Sequence, residues 1–336
     1  MYRRVNNIPC GHCMECRLTK SKEWANRIMF EAEQWEENYF ITLTYDDNHL
    51  PYRDWFYDAD GVVQEGACLD KTELQNFMKK LRTYNDRKFR PIAEDTVLRN
   101  HFHCLNKDGL NEGETTEFEN LVSEEMKKYQ IRFYACGEYG EKYGRPHFHL
   151  ILFNMHLDDL VLFKKTENGA YYLSETITKA WSENGEPKGH VLVANLCYET
   201  GRYVAQYVLK KQYGENSQAW YNMMRRTPEF TLMSRNPGIG RDYYEKHKEQ
   251  IYKNDGINIP KKDGSIKVKP PKYYDKLFEL EDKETLDSIK RLRNKKVVLA
   301  EEHRQIQSNA TPEQRRKQRE NHANNKNKLL QRSNIV

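Results

Sequence analysis

The sequence predicts an α+β protein with a central, mostly antiparallel sheet and flanking helices. Three observations carry this prediction: short β-rich runs, longer stretches with apolar residues at helical spacing, and a Gly-rich turn between two of the short runs. Because a short turn joins only antiparallel neighbours, the sheet should contain at least one hairpin. The expected strands are 39–45, 131–137, 147–154 and 190–196, and the expected helices are 19–37, 71–84, 174–182 and 199–212.

Composition restricts the class of protein. The 336 residues suffice for one large domain or two ordinary ones, and 22 Tyr, 13 Phe and 5 Trp can supply a core although 31% of the residues are charged. No apolar run reaches about 18 residues and no hydrophobic segment follows Met1, which argues against secretion and membrane spanning. Seven cysteines, three of them clustered, fit a reducing compartment better than a disulfide framework.

Charge is spread unevenly along the chain. From Lys283 to the end there are 14 Lys and Arg against 6 Asp and Glu, a net of +8, so the formal total of +5 leaves −3 for residues 1–282. We expect residues 281–336 to form a basic, helical and partly disordered tail. Such a tail either contacts DNA or is simply solvated.

Three cysteines near the start follow one another at intervals of three: Cys10, Cys13 and Cys16. Thiolates at this spacing can hold a soft metal such as Zn²⁺, with His12 or a remote cysteine as the fourth ligand. No second pair follows at a standard zinc spacing. Reduced thiols packed at the start of a helix, or iron–sulfur ligation, therefore stay open as alternatives.

The second strand of the predicted hairpin opens with two histidines that flank Phe148. Side chains on a strand alternate between faces, so His147 and His149 point the same way. Two neighbouring imidazoles on a rigid strand make half of a metal site. Glu138, on the preceding strand, can reach the same face as a third ligand.

Two stretches lack a clear period. We interpret the segment from His49 to Cys68 as a loop, and the polar residues 85–128 as an insertion. The insertion contains a second histidine pair, His101 and His103. We favour the first pair as metal ligands, because the second lacks the apolar run that anchors a strand.

Two tyrosines lie on one face of the last predicted helix, because Tyr203 and Tyr207 are four residues apart. Lys210 and Lys211 lie one turn further along that face. A metal held by imidazoles can withdraw electrons from a phosphate oxygen, and a phenol that has lost its proton can then attack phosphorus. Lysine would stabilise the developing charge, and the product would be a phosphotyrosine.

In this combination the chain resembles the replication initiators of gokushovirus-like microviruses, which belong to the HUH endonucleases of rolling-circle replication. The resemblance implies an RRM-like palm fold, with 39–215 as the endonuclease domain and 216–280 as its C-terminal extension. Residues 1–38 would be a cysteine segment and helix, and 281–336 the basic tail. The matching segments are 9–17, 40–47, 136–140, 144–153, 203–211 and 234–240.

The resemblance implies a role for each site residue. His147, His149 and Glu138 would bind Mg²⁺ or Mn²⁺, whereas Zn²⁺ would belong to the cysteine cluster. Tyr203 and Tyr207 would be the nucleophiles: one cuts the single-stranded viral origin and retains the 5′ end, and the other lets the displaced strand close into a circle. Host helicase and polymerase would be partners in the host cytoplasm, with no membrane involved.

One residue departs from the family pattern. Gln206 stands where relatives with two tyrosines often have lysine, so the cationic helper would be Lys210 or Lys211. Two other classes stay open. One is a non-enzymatic, zinc-stabilised nucleic-acid-binding protein, and the other is an HUH relaxase or transposase.

Overall fold

Two compact units make up the chain. The computed structural model describes residues 11, 13–57, 63–104, 106–140, 143–166, 169–206, 217–223, 226–261, 264–307 and 310–332. The sheet unit is drawn from residues 35–196 and 217–234, and the helical unit from residues 1–34, 197–216 and 235–336. The predicted domain boundaries, which divide the chain by function, stay predictions.

The secondary structure of the described residues is mixed. The strands are β1 (Asn38–Thr44), β2 (Tyr52–Tyr57), β3 (Val63–Ala67), β4 (Arg132–Tyr139), β5 (Pro146–Phe153), β6 (Leu160–Thr166), β7 (Gly169–Ser174), β8 (Ser182–Glu183), β9 (Glu186–Pro187), β10 (Val191–Asn195), β11 (Phe230–Met233), β12 (Ile257–Lys261) and β13 (Gly264–Val268). The helices are α1 (Met14–Ala32), α2 (Lys71–Val97), α3 (Glu112–Met126), α4 (Glu175–Ala180), α5 (Tyr198–Gln206), α6 (Ser217–Met223), α7 (Arg241–Asn254), α8 (Lys272–Glu281), α9 (Lys283–Ile306) and α10 (Pro312–Arg332). None of these helices is long and apolar enough to cross a membrane.

Seven of the described strands form one antiparallel sheet, in the order β11-β4-β5-β1-β10-β7-β6. The four strands expected from the sequence, now β1, β4, β5 and β10, are adjacent at its middle. The prediction of an α+β protein with a mostly antiparallel sheet is therefore confirmed. The RRM-like palm stays a prediction.

The main apolar core of the sheet unit lies on one face of this sheet, against α2 and α4. Every second residue of the central strands contributes, as with Ile41 and Leu43 on β1 and Leu150 on β5, and Phe77 and Ile177 cover them from the helices. Burying one such side chain contributes about 1.5–3 kcal/mol. Because residues alternate between faces, the residues between these, including the two site histidines, lie on the opposite face.

The expected loop from His49 to Cys68 was wrong, because it contains the antiparallel hairpin β2–β3. Strand β3 includes Gln64, Glu65 and Gly66, which have low strand propensity, so its sequence gives little sign of a strand. Its conformation depends on pairing with β2.

The polar residues 85–128 are largely helical. Helix α2 continues to Val97 instead of ending at 84, because Asn85, which interrupts its apolar spacing, donates a hydrogen bond from Nδ2 to the carbonyl oxygen of Tyr129 at 2.6 Å. A small apolar cluster then joins α2 and the π-helical turn after it to α3: Ala93, Val97, Leu98, Phe118 and Val122. That the segment is an insertion stays a prediction.

The helical unit has an aromatic core of its own, in which Phe30 of α1 stacks on Tyr243 of α7 with ring centroids 4.7 Å apart. The hydroxyl of Tyr274 donates to the carbonyl oxygen of Gly240, whose N–H donates to a carboxylate oxygen of Glu31. The hairpin expected around residues 261–264 is confirmed as β12–β13. In the predicted tail, α9 confirms the charged helix, and α10 is helical as well.

Candidate metal centre

The β4–β5 hairpin brings the three predicted metal ligands to one face of the sheet. Its register pairs Glu138 with His147 and Cys136 with His149. Residues paired directly in an antiparallel sheet share a face. Glu138 therefore lies beside His147 and diagonally across from His149.

A tight turn fixes this register. The N–H of Gly140 donates to the carbonyl oxygen of Arg145, and the N–H of Gly144 donates to the carbonyl oxygen of Gly140, both at 2.9 Å. Gly144 has a φ of 62°, in the left-handed region that glycine adopts without a steric penalty. The Gly-rich turn predicted from the sequence thus sets which residues of β4 and β5 face each other.

The ligand atoms of the three side chains converge. Oε1 of Glu138 lies 2.6 Å from Nε2 of His147 and 3.2 Å from Nε2 of His149, and the three ligand atoms all lie within 4.8 Å of one another. The side chains of Glu138 and His149 are 2% exposed, whereas that of His147 is 18% exposed. The cluster is therefore buried, with its accessible edge at His147.

Neighbouring groups determine which imidazole nitrogen faces the cluster. Nδ1 of His147 lies 3.2 Å from the carbonyl oxygen of Arg145, which can only accept a hydrogen bond, so Nδ1 carries the proton of that bond. Nδ1 of His149 lies 3.0 Å from Oγ1 of Thr42 on β1, which can accept in the same way. In that tautomer both Nε2 lone pairs point at the carboxylate of Glu138. Such an arrangement is repulsive unless a proton or a metal cation lies between them.

This donor set fits a divalent metal ion. Two imidazole nitrogens and a carboxylate oxygen suit first-row ions such as Mn²⁺, and a hydrogen-bond partner on the outer nitrogen is usual for histidines that bind metal. Burial by itself would raise the pKa of the Glu138 carboxyl, but the hydrogen bonds and charges of His147 and His149 outweigh it and hold that pKa well below its ordinary value. Glu138 is thus an ionised ligand at neutral pH.

The structure describes only part of the predicted nucleophile segment. Tyr203 is half-buried on α5 in the helical unit, where the adjacent Val204 and Ala205 are buried. The other predicted catalytic residues lie outside the described residues: Tyr207, Lys210 and Lys211. The triad is thus brought together within the sheet unit, and the roles of the tyrosines and lysines stay predictions.

The cysteine cluster is described in part. Cys13 is exposed directly before α1 and Cys16 is half-buried in its first turn, while Cys10 and His12 lie outside the described residues. A zinc site here stays a prediction. Within the described residues, the triad forms a group of three metal-binding side chains, and no such group includes His101 or His103.

The sequence alone did not point to the groups that hold the histidine rings. Thr42 pairs across β1 and β5 with His149, and Phe40 stacks on the same ring with centroids 5.5 Å apart. The alternation within β1 shows that Phe40 and Thr42 share a face. Which residue of β5 they meet depends on the register of two strands that are far apart in the sequence.

Comparison with known proteins identifies the family. A family model for the replication-associated protein ORF2 matches residues 105–212, which include the whole β4–β5 hairpin. The chain is 31% identical over 294 residues to "Replication-associated protein ORF2" of Spiroplasma virus 4, an alignment that covers 86% of the chain and 74% of that relative. The chain belongs to the microvirus replication-associated proteins.

Two further relatives carry the same kind of name. This replication-associated protein is 27% identical over 270 residues to "Replication-associated protein VP4" of Bdellovibrio phage phiMH2K, covering 80% of the chain and 66% of the relative. It is 28% identical over 209 residues to "Replication-associated protein ORF4" of Chlamydia phage 1, covering 61% and 38%. No solved structure matches the chain. The predicted resemblance to microvirus replication proteins is thus confirmed.

Proposed function

We propose that this protein initiates rolling-circle replication by nicking single-stranded DNA at the viral origin. The proposal is carried by the convergence of Glu138, His147 and His149, with Nδ1 of each histidine occupied by a hydrogen-bond partner and each Nε2 directed inward. Membership of the replication-associated proteins supports a role in viral DNA replication.

The proposed reaction exchanges one phosphodiester for another. A bound Mg²⁺ or Mn²⁺ supplies Lewis-acid polarisation of a non-bridging phosphate oxygen, and Glu138, His147 and His149 are the residues that would hold it. The phenolic oxygen of Tyr203 or Tyr207 forms a bond to phosphorus and gives its proton to a base. The bond from phosphorus to the 3′ oxygen breaks, and that oxygen takes up a proton.

The products suit a replication initiator. One is a DNA 5′ end held as a phosphotyrosine, and the other is a free 3′-hydroxyl that can prime synthesis. Because the phosphodiester is conserved, attack by a 3′-hydroxyl on the phosphotyrosine rejoins a strand, and the second tyrosine allows a second cut before that joining. In this scheme Lys210 or Lys211 stabilises the developing charge. Host helicase and polymerase act on the primed strand in the host cytoplasm.

Cleavage of single-stranded viral genome DNA in Mn²⁺ or Mg²⁺ tests the proposal. Wild type should nick the DNA, and His147→Ala and His149→Ala should each lower the nicking rate by about 100-fold or more while still folding and binding DNA. The matched control is His101→Ala combined with His103→Ala. This second pair of exposed or half-exposed histidines has no place in the triad, so nicking should be retained.

Two results would favour other functions. DNA binding without cleavage in either metal would overturn the proposal and favour a non-enzymatic, zinc-stabilised nucleic-acid-binding protein. Nicking of a circular substrate without the release of closed single-stranded circles would favour a relaxase or transposase.

A further inference from the structure

Helix α9 carries apolar side chains in an exposed row. Leu292, Leu299 and Ile306 follow at intervals of seven residues and are 58%, 55% and 82% exposed. The residues three positions before them complete the three-four spacing of a coiled coil: Ile289, Lys296 and His303. We call these six positions the α9 seam.

Only the first part of α9 packs against its own chain. Leu286 is fully buried in the aromatic core of the helical unit, and the guanidinium of Arg293 donates to Asp255 at 2.8 Å and to Asp275 at 2.7 Å. From residue 294 to 307, every residue whose burial the structure describes is exposed. The second half of α9 therefore presents the seam to solvent. Large apolar side chains gathered in one exposed row commonly mark an interaction surface.

We infer that the α9 seam is a dimer interface, in which α9 packs antiparallel against α9 of a second copy of this chain. A two-fold axis beside Leu299 would place this side chain against its own counterpart. The same axis would place Leu292 against Ile306 of the second copy at both ends. Because α9 has 24 residues and rises about 1.5 Å per residue, the free half offers about two heptads for this contact.

The charges select a second copy and the antiparallel direction. A parallel pair would stack Lys296 on Lys296 within the seam, whereas an antiparallel pair separates the two ammonium groups. Two-fold symmetry also brings the same flank of both helices together. On one flank lie Lys295 and Glu302, both exposed, so Lys295 of each copy meets Glu302 of the other. The interface thus gains two complementary charge pairs.

Sedimentation equilibrium of the full chain over a range of concentrations tests the inference. Wild type should dimerise, and Leu299→Glu should raise the dissociation constant at least about tenfold, because two carboxylates would then face each other at the centre. The matched control is Val297→Glu. Val297 is 58% exposed and lies on the opposite side of the helix, so this change should leave the dissociation constant unaltered.

Charge reversal tests the direction of the helices. Lys295→Glu and Glu302→Lys should each weaken the dimer several-fold, and the double variant should regain wild-type affinity. A chain that stays monomeric at every concentration overturns the inference. So does an equal effect of Leu299→Glu and Val297→Glu. Failure of the double variant to recover overturns the antiparallel arrangement. Circular dichroism of each variant separates loss of association from loss of folding.

Discussion

At the scale of single residues, each histidine of the metal centre depends on a second residue that holds its ring. The backbone carbonyl of Arg145 performs this task for His147, and the hydroxyl of Thr42 performs it for His149. These bonds set the nitrogen that faces Glu138, and they restrict ring rotation. Metal affinity should therefore depend on residues that do not touch the metal.

Thr42→Val tests this dependence. Valine has nearly the shape of threonine but no hydroxyl, so His149 would lose its Nδ1 partner and its fixed tautomer. We expect Mn²⁺ affinity, measured by isothermal titration calorimetry, to fall about 10- to 100-fold. The matched control is Thr44→Val on the same strand face, because the Thr44 hydroxyl bonds to the backbone of His190 instead of a ligand ring. Equal Mn²⁺ affinities for the two variants would show that Thr42 does not orient His149.

The ligands themselves were accessible from the sequence, while their supports were not. Strand alternation places His147 and His149 on one face, and a short turn limits which residues of the preceding strand can face them. Thr42 lies more than 100 residues away in the chain, and its contact with His149 arises only from the β1–β5 register. Nothing local to Thr42 distinguishes it from Thr44.

At the scale of elements, the sheet is held by a close approach between the end of β1 and the segment before β10. A Cβ on Gly189 would lie 2.4 Å from the carbonyl oxygen of Thr44 and 2.7 Å from the backbone nitrogen of Asp46. Both are backbone atoms, which cannot move aside without breaking the pairing. Only glycine fits between them.

We therefore expect Gly189→Ala to lower the free energy of unfolding by about 2–4 kcal/mol, because overpacking against backbone must displace β1 or β10. Urea unfolding measures this change. Gly109→Ala is the control, since a Cβ at Gly109 meets nothing within 4 Å, and it should stay within about 0.5 kcal/mol of wild type. A cost for Gly189→Ala no larger than that of the control would contradict the close packing.

Elements with a clear period were predicted, and those without one were not. Strands β1, β4, β5 and β10 are densely apolar, and their positions follow from the sequence. The hairpin β2–β3 and the extension of α2 are polar, and tertiary contacts determine their structure. Asn85 illustrates this, because it reads as a break in the helix until its bond to Tyr129 is seen.

At the scale of the whole molecule, the metal centre belongs to the sheet unit and Tyr203 to the helical unit. The sequence did not predict this division, because the helical unit is assembled from three segments far apart in the chain. Charge and composition could indicate the basic end and the absence of a long apolar run. They carry no information on which distant segments pack together.

Metal binding should stabilise the folded molecule, because an ion bound by the native triad has no equivalent site in the unfolded chain. With Mn²⁺ at about 100 times its dissociation constant, the free energy of unfolding should rise by about 2.7 kcal/mol relative to the protein in a chelator. Urea unfolding with and without Mn²⁺ measures the increment. Glu138→Gln removes the anionic ligand and should lose most of the increment. An equal increment in this variant would place the stabilising ion elsewhere.

The most direct test of the proposed function is a search for a covalent protein–DNA adduct. Wild type, Tyr203→Phe, Tyr207→Phe and the double variant are incubated with single-stranded viral DNA and Mn²⁺, denatured, and the DNA-linked peptide is identified by mass spectrometry. We predict an adduct in wild type and in each single variant, a DNA 5′ phosphate on the remaining tyrosine, and no adduct in the double variant. An adduct that persists in the double variant, or cleavage by wild type that leaves no adduct, would contradict tyrosine attack.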